Sequence, residues 1–92
     1  MQEFVWVFLG NGAANCGGVF SILADAERWI VKHKLSGVLT KYPLGMGVWE
    51  WAQTMKYFTP KNERHYAPNF IGGFTSASME HFHYQEGCRI DS

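Results

Sequence analysis

The 92 residues predict an α+β fold: a three- to four-stranded, mainly antiparallel sheet with two helices packed on one face. Three observations carry that expectation. An apolar run rich in aromatic and β-branched residues, Phe4-Val5-Trp6-Val7-Phe8-Leu9, stops at once at Gly10-Asn11-Gly12, which is the signature of a strand. Two stretches, Ile22 to Lys34 and Val48 to Tyr57, repeat their apolar residues with a helical period. Short β-type segments flank them, giving the order strand, strand, helix, strand, helix, strand.

The first run is apolar at every position, as expected of a strand covered on both faces or nearly so. Gly18-Val19-Phe20 forms a short second strand, antiparallel to the first because the intervening glycine-rich loop suits a wide hairpin better than a crossover. Ser21 is the expected N-cap of the first helix. Its apolar positions Ile22, Ala26, Trp29, Ile30 and His33 share one face, with acids early and bases late as the helix dipole prefers. Leu35-Ser36-Gly37 closes it, Gly37 being placed as a left-handed terminator. Val38-Leu39-Thr40-Lys41-Tyr42 is the third strand, ended by Pro43 and followed by the permissive Leu44-Gly45-Met46-Gly47. In the second helix Val48, Trp51, Ala52 and Met55 line one face, and Pro60 prevents its continuation. Beyond a polar stretch at Lys61 to His65, one helical turn fits between Pro68 and Phe74, and Met79 to Gln85 is a last strand. Residues 1–92 read as one domain with a loose tail at 87–92.

Composition narrows the function classes. At 47% hydrophobic, 16% aromatic and 17% charged, the chain is poorer in charge than the roughly 25% of an ordinary soluble domain, so it is built to form a core. Eight basic residues balance eight acidic ones. No basic footprint for nucleic acid exists, and little self-repulsion opposes association with a protein partner or a second copy. The apolar run at Phe4–Leu9 is too short for a signal peptide or a membrane span, so the expected setting is the cytoplasm, with no membrane contact and with Cys16 and Cys88 reduced. The spacing of those two cysteines makes no metal knuckle and leaves a bridge between them open.

Candidate chemistry is sparse. Gly10 to Gly18 follows a strand but lacks the third glycine of a dinucleotide fingerprint, because Asn15 stands there, and it lacks the Lys-Ser/Thr of a phosphate loop. No cofactor is implied. His81 and His83, alternate residues of a strand, face the same way and are the best metal-like pair, with His65 the only candidate third ligand. The same pair could serve as acid and base in a small nuclease-like enzyme, but the surrounding Met79 to Glu86 is acidic apart from its histidines, which suits interface histidines better than phosphate chemistry. Trp49-Glu50-Trp51 poses a different question. Neighbouring helical residues point about 100° apart, so a core-facing Trp51 leaves Trp49 at the boundary, and with Tyr57 and Phe58 it has the composition of a protein-binding hot spot.

The motifs Phe4-Val5-Trp6-Val7-Phe8, Gly18-Val19-Phe20-Ser21, Ala26-Glu27-Arg28-Trp29-Ile30, Leu35 to Pro43, Gly47-Val48-Trp49-Glu50-Trp51-Ala52 and Phe74 to Tyr84 together resemble a small, stand-alone bacterial domain family of unknown function. The resemblance covers most of the chain. Its architecture is similar to that of immunity proteins, which bind and neutralise a cognate toxin. Together these readings lead to the expectation of a non-enzymatic, protein-binding inhibitor of the immunity type, with Trp49, Glu50, Tyr57, Phe58, His81 and His83 as the contact residues. A small metal- or His-dependent enzyme using His81 and His83 and a self-pairing homodimer are the alternatives.

Overall fold

The computed structural model describes residues 1–90. Its strands are β1 (Phe4–Gly10), β2 (Gly18–Phe20), β3 (Gly37–Pro43), β4 (His81–Gln85) and β5 (Cys88–Ile90), and its helices are α1 (Leu23–His33), α2 (Val48–Thr54) and α3 (Pro68–Gly72), with a 3-10 turn at Glu63–Tyr66. The strands form one five-stranded sheet in the order β2-β1-β3-β4-β5, antiparallel at every junction. The expected α+β class therefore holds, with one strand more than the three or four expected.

The added strand comes from the tail. Gln85 pairs with Cys88, and the two intervening residues, Glu86 (φ 47°) and Gly87 (φ 86°), both take positive φ. That is the geometry of a type I′ hairpin turn, whose twist matches that of the flanking strands. Residues 88–90 are thus ordered strand, while 91–92 of the expected loose tail lie outside the described residues.

Helix boundaries also moved for identifiable reasons. Ser21 does not cap α1. The residue at that position is Ile22, which makes no side-chain cap, and its carbonyl accepts from the N–H of Asp25 (3.1 Å) and Ala26 (3.3 Å). The left-handed terminator is Lys34 (φ 53°) instead of Gly37: Leu35 N–H bonds the Ile30 carbonyl at 3.0 Å and Lys34 N–H the Val31 carbonyl at 3.2 Å, a Schellman closure. Gly37 is needed for space. A Cβ there would stand 2.3 Å from the Leu9 carbonyl oxygen across the β1–β3 ladder. The second helix ends at Thr54, short of Tyr57, because Lys56 (φ 64°) repeats the same closure, with Tyr57 N–H on the Ala52 carbonyl at 2.8 Å.

Register separates the two sheet faces cleanly. On one face Phe20, Trp6 and Lys41 form a row, then Gly18, Phe8, Leu39 and Phe82, then Gly10, Gly37, Tyr84 and Arg89. Against it α1 lays Ala26 and Ile30, both with no exposed surface, and the main core closes around Trp6, Phe8, Leu39 and Tyr84. Trp29 stands edge-on to Phe8 (5.6 Å), and Trp6 stacks on Phe82 (5.6 Å). Burying such aromatics contributes about 1.5–3 kcal/mol each, which is what makes so small a core sufficient.

A second cluster lies at the end of the sheet. Trp51, Ala52 and Met79 are buried in it, with Phe4, Tyr42, Val48, Phe58 and Phe74 packed around them. Because Phe4 and Tyr42 belong to opposite sheet faces, α2 caps the strand ends, and α1 alone spans the first face. The molecule is accordingly elongated, 44 × 31 × 23 Å, with a radius of gyration of 14.4 Å against about 12 Å for a compact chain of this length.

Candidate interaction surface

The other sheet face is left open by the helices. Its two central cross-strand rows are Val19, Val7, Thr40 and His81, then Leu9, Val38, His83 and Ile90. None of these residues is an acid, a lysine or an arginine. Leu9 is 45% exposed, Val19 60% and Ile90 44%, while Val7, Val38 and Thr40 are half-buried. The all-apolar β1 run is therefore not covered on both sides. Its aromatic even positions, Trp6 and Phe8, are buried under α1, and its aliphatic odd positions form the floor of this open face.

One side of the floor is walled. The segment 75–77 stands beside the β3–β4 rows and borders an open pocket of about 270 Å³ lined by Val38, Thr40, Thr75, Ser76, Ala77 and His81. A turn fixes that wall, with Met79 N–H on the Ser76 carbonyl at 3.1 Å and Ser78 N–H on Ser76 Oγ at 3.2 Å.

His81 and His83 do share a face, as their spacing implied, with ring centroids 5.4 Å apart, and both are exposed. His81 Nδ1 lies 2.7 Å from the Met79 carbonyl, which can only accept, so that nitrogen donates, and in the neutral ring Nε2 is then the acceptor. His65 packs instead on Phe58 of the second cluster (5.4 Å): its Nδ1 accepts from Lys61 N–H at 2.9 Å and its ring stacks on Phe70 at 4.9 Å. Among the described residues no three His, Cys, Asp or Glu side chains converge on a common point. Cys16 and Cys88 are both free and exposed.

The α2 candidates divide. Trp49 is half-buried, its indole N–H donating to the His65 carbonyl at 3.0 Å and its ring edge-on to Tyr66 at 5.7 Å, so it ties the 3-10 turn to the helix. Phe58 is half-buried against Phe74 (4.7 Å), His65 (5.4 Å) and Phe70 (5.9 Å), as part of the second cluster. Glu50 is exposed, and so is Tyr57, 51% accessible with its ring tilted on Trp51 at 5.6 Å. Trp49, Glu50, Tyr57 and Phe58 belong to the α2 end of the molecule, whereas His81 and His83 lie on the open face.

A polar network absent from the sequence reading joins α1 to the β4–β5 hairpin. Tyr84 Oη donates to Glu27 Oε2 at 2.7 Å, Arg89 bonds the same oxygen, and the Arg89 guanidinium lies 3.9 Å over the Phe82 ring. The Tyr84 hydrogen bond, helped by Arg89, holds the Glu27 carboxyl below its ordinary value. Burial, reinforced by the bond to Glu27, pushes the Tyr84 hydroxyl up to about 12. These groups act as a clasp between elements.

A family model described as a domain of unknown function, DUF7710, matches residues 5–90. The chain belongs to this family. No curated protein and no solved structure matches it significantly. The match spans every strand of the DUF7710 sheet from Val5 onward and both rows of its open face. No helix among the described residues is long and apolar enough to cross a membrane.

Leu9, Val19, Val38 and Ile90 are the surface residues that sequence reasoning missed. The alternation of aromatic and aliphatic residues in Phe4-Val5-Trp6-Val7-Phe8-Leu9 was the available signal, since only one of the two faces it defines carries rings large enough to build the core.

Proposed function

We propose that this domain is a protein-binding module whose contact surface is the open sheet face. The observation that carries the proposal is the pair of cross-strand rows without an acid, lysine or arginine, with Leu9, Val19 and Ile90 standing exposed in them. Burying exposed aliphatic surface on a partner gains about 25 cal/mol per Å², and no acid, lysine or arginine in the rows has to be desolvated in doing so. Depletion of charge at the centre is what distinguishes interface cores from the rest of a protein surface.

The finer reading is an inhibitor of the immunity type, acting in the cytoplasm on a toxin domain. A broad, preformed sheet face works by covering a surface, which is how such an inhibitor would act. Tyr57 and Glu50, exposed at the α2 end, extend the contact if the partner reaches past the sheet, and His81 and His83 contribute imidazoles at its β4 side.

Photocrosslinking tests the surface directly. A Val19→p-benzoylphenylalanine variant should yield a discrete crosslinked partner in the native cell, and the same label at Lys32, on the α1 side, should not. Equal yields from both positions would reject the sheet face.

A further inference from the structure

We infer that the pocket beside the open face receives a single tyrosine side chain of the bound partner; this rests on the protein-binding reading and names its anchor. Size is the first argument. At about 270 Å³ the pocket falls below the roughly 300–1,000 Å³ of cofactor and small-molecule sites, so it suits one side chain better than a metabolite.

Chemistry of the lining is the second. Val38 and Ala77 supply apolar surface, Thr40, Thr75 and Ser76 supply hydroxyls, and His81 supplies an imidazole; no lining residue is an acid, a lysine or an arginine. The charged neighbours on the strands, Lys41 and Glu80, pair with each other at 3.8 Å and, by alternation, belong to the opposite sheet face. A charged ligand would therefore enter without a counter-charge, which is costly, whereas a neutral one would not.

Hydrogen-bonding capacity is the third. With Nδ1–H held by the Met79 carbonyl, the neutral His81 ring offers Nε2 as an acceptor, and the hydroxyls offer both donors and acceptors. A phenol matches this set because its O–H both donates and accepts on an apolar ring. Toluene-like rings can do neither, and an indole N–H can only donate. Tyrosine is also among the side chains that most often anchor protein interfaces.

Titration of the isotope-labelled full chain with p-cresol, followed by NMR, tests the inference. Saturable shifts are expected at the methyls of Val38, Thr40 and Ala77 and at the His81 ring, with affinity at least about threefold tighter than for toluene. The Thr40→Val variant, which keeps the shape and removes a hydroxyl, should bring p-cresol down to the toluene level while leaving the rest of the spectrum in place. Equal affinity for p-cresol and toluene, or shifts that bypass Ala77 and His81, would overturn it. The crosslink at position 19 reads the sheet face independently, so a pocket that ignores p-cresol defeats this inference alone.

Discussion

Replacing Tyr84 by phenylalanine isolates the clasp between α1 and the β4–β5 hairpin. The ring is only 3% exposed and stays packed in the variant, so what is lost is one O–H bond of 2.7 Å to Glu27. Hydrogen bonds to charged groups are worth about 1.5–3 kcal/mol, but here the carboxylate keeps Arg89 and remains partly in water, which places the loss near 1–1.5 kcal/mol. For a domain of this size that is a fall in Tm of about 5–10 °C. The pH dependence gives the sharper signature. Because the Glu27 carboxyl lies below its ordinary 4.5 in the folded state, its contribution is present above that value and lost as pH falls through the lowered one. Because the Tyr84 hydroxyl is raised from 10.0 to about 12, its contribution is full below 10 and lost as pH rises toward 12. Urea unfolding at several pH values should therefore show a gap between wild type and Tyr84→Phe that is widest from about pH 5 to 10 and narrows at both ends. A gap under about 0.5 kcal/mol at pH 7, or one that does not change with pH, would refute the clasp.

Three further outcomes follow from the packing. Gly37→Ala forces a Cβ to within 2.3 Å of the Leu9 carbonyl, a backbone atom that cannot swing aside, so thermal unfolding should fall by at least about 1–3 kcal/mol or the chain should fail to fold; an unchanged Tm would mean that the β1–β3 approach is looser than described. Ile30→Ala empties a site with no exposed surface between α1 and the sheet and should cost about 2–5 kcal/mol by urea titration, with a loss under 1 kcal/mol contradicting the core assignment. Trp49→Phe removes the bond to the His65 carbonyl and should cost about 0.5–1.5 kcal/mol while raising amide exchange at 62–66; exchange left unaltered there would free Trp49 from the anchoring role.

Much of this fold was legible because local signals were strong. The β1 run, the period of α1, the glycine-rich hairpin and the faces of His81 and His83 were all set by nearest-neighbour patterns that survive in three dimensions. Where the reading diverged, tertiary contacts decided. Lys34 and Lys56 adopt left-handed caps that glycine would be expected to take, and Gly37 is kept by a close β1–β3 approach that no local pattern reveals. Glu86-Gly87 turned a presumed tail into β5, and only with β5 in place does Arg89 meet Glu27, 62 residues away. The placement of the candidate residues was half legible. His81 and His83 fall on the open face, but of the residues chosen for surplus aromatic character Trp49 is held by the 3-10 turn and Phe58 by the second cluster, neither of which the sequence order disclosed. Leu9, Val19 and Ile90 escaped notice because a single exposed aliphatic residue is ordinary; only the register that aligns them makes a surface.

Charging that surface is the most direct test of its role. A Leu9→Glu, Val19→Glu variant places two carboxylates among exposed side chains, where stability should change by no more than about 0.5 kcal/mol per site. Side-by-side quantitative capture from the native cell should show a partner held by the wild-type chain and lost at least tenfold by the variant, with unfolding midpoints alike. Retention of that partner by a folded variant would contradict the sheet-face account.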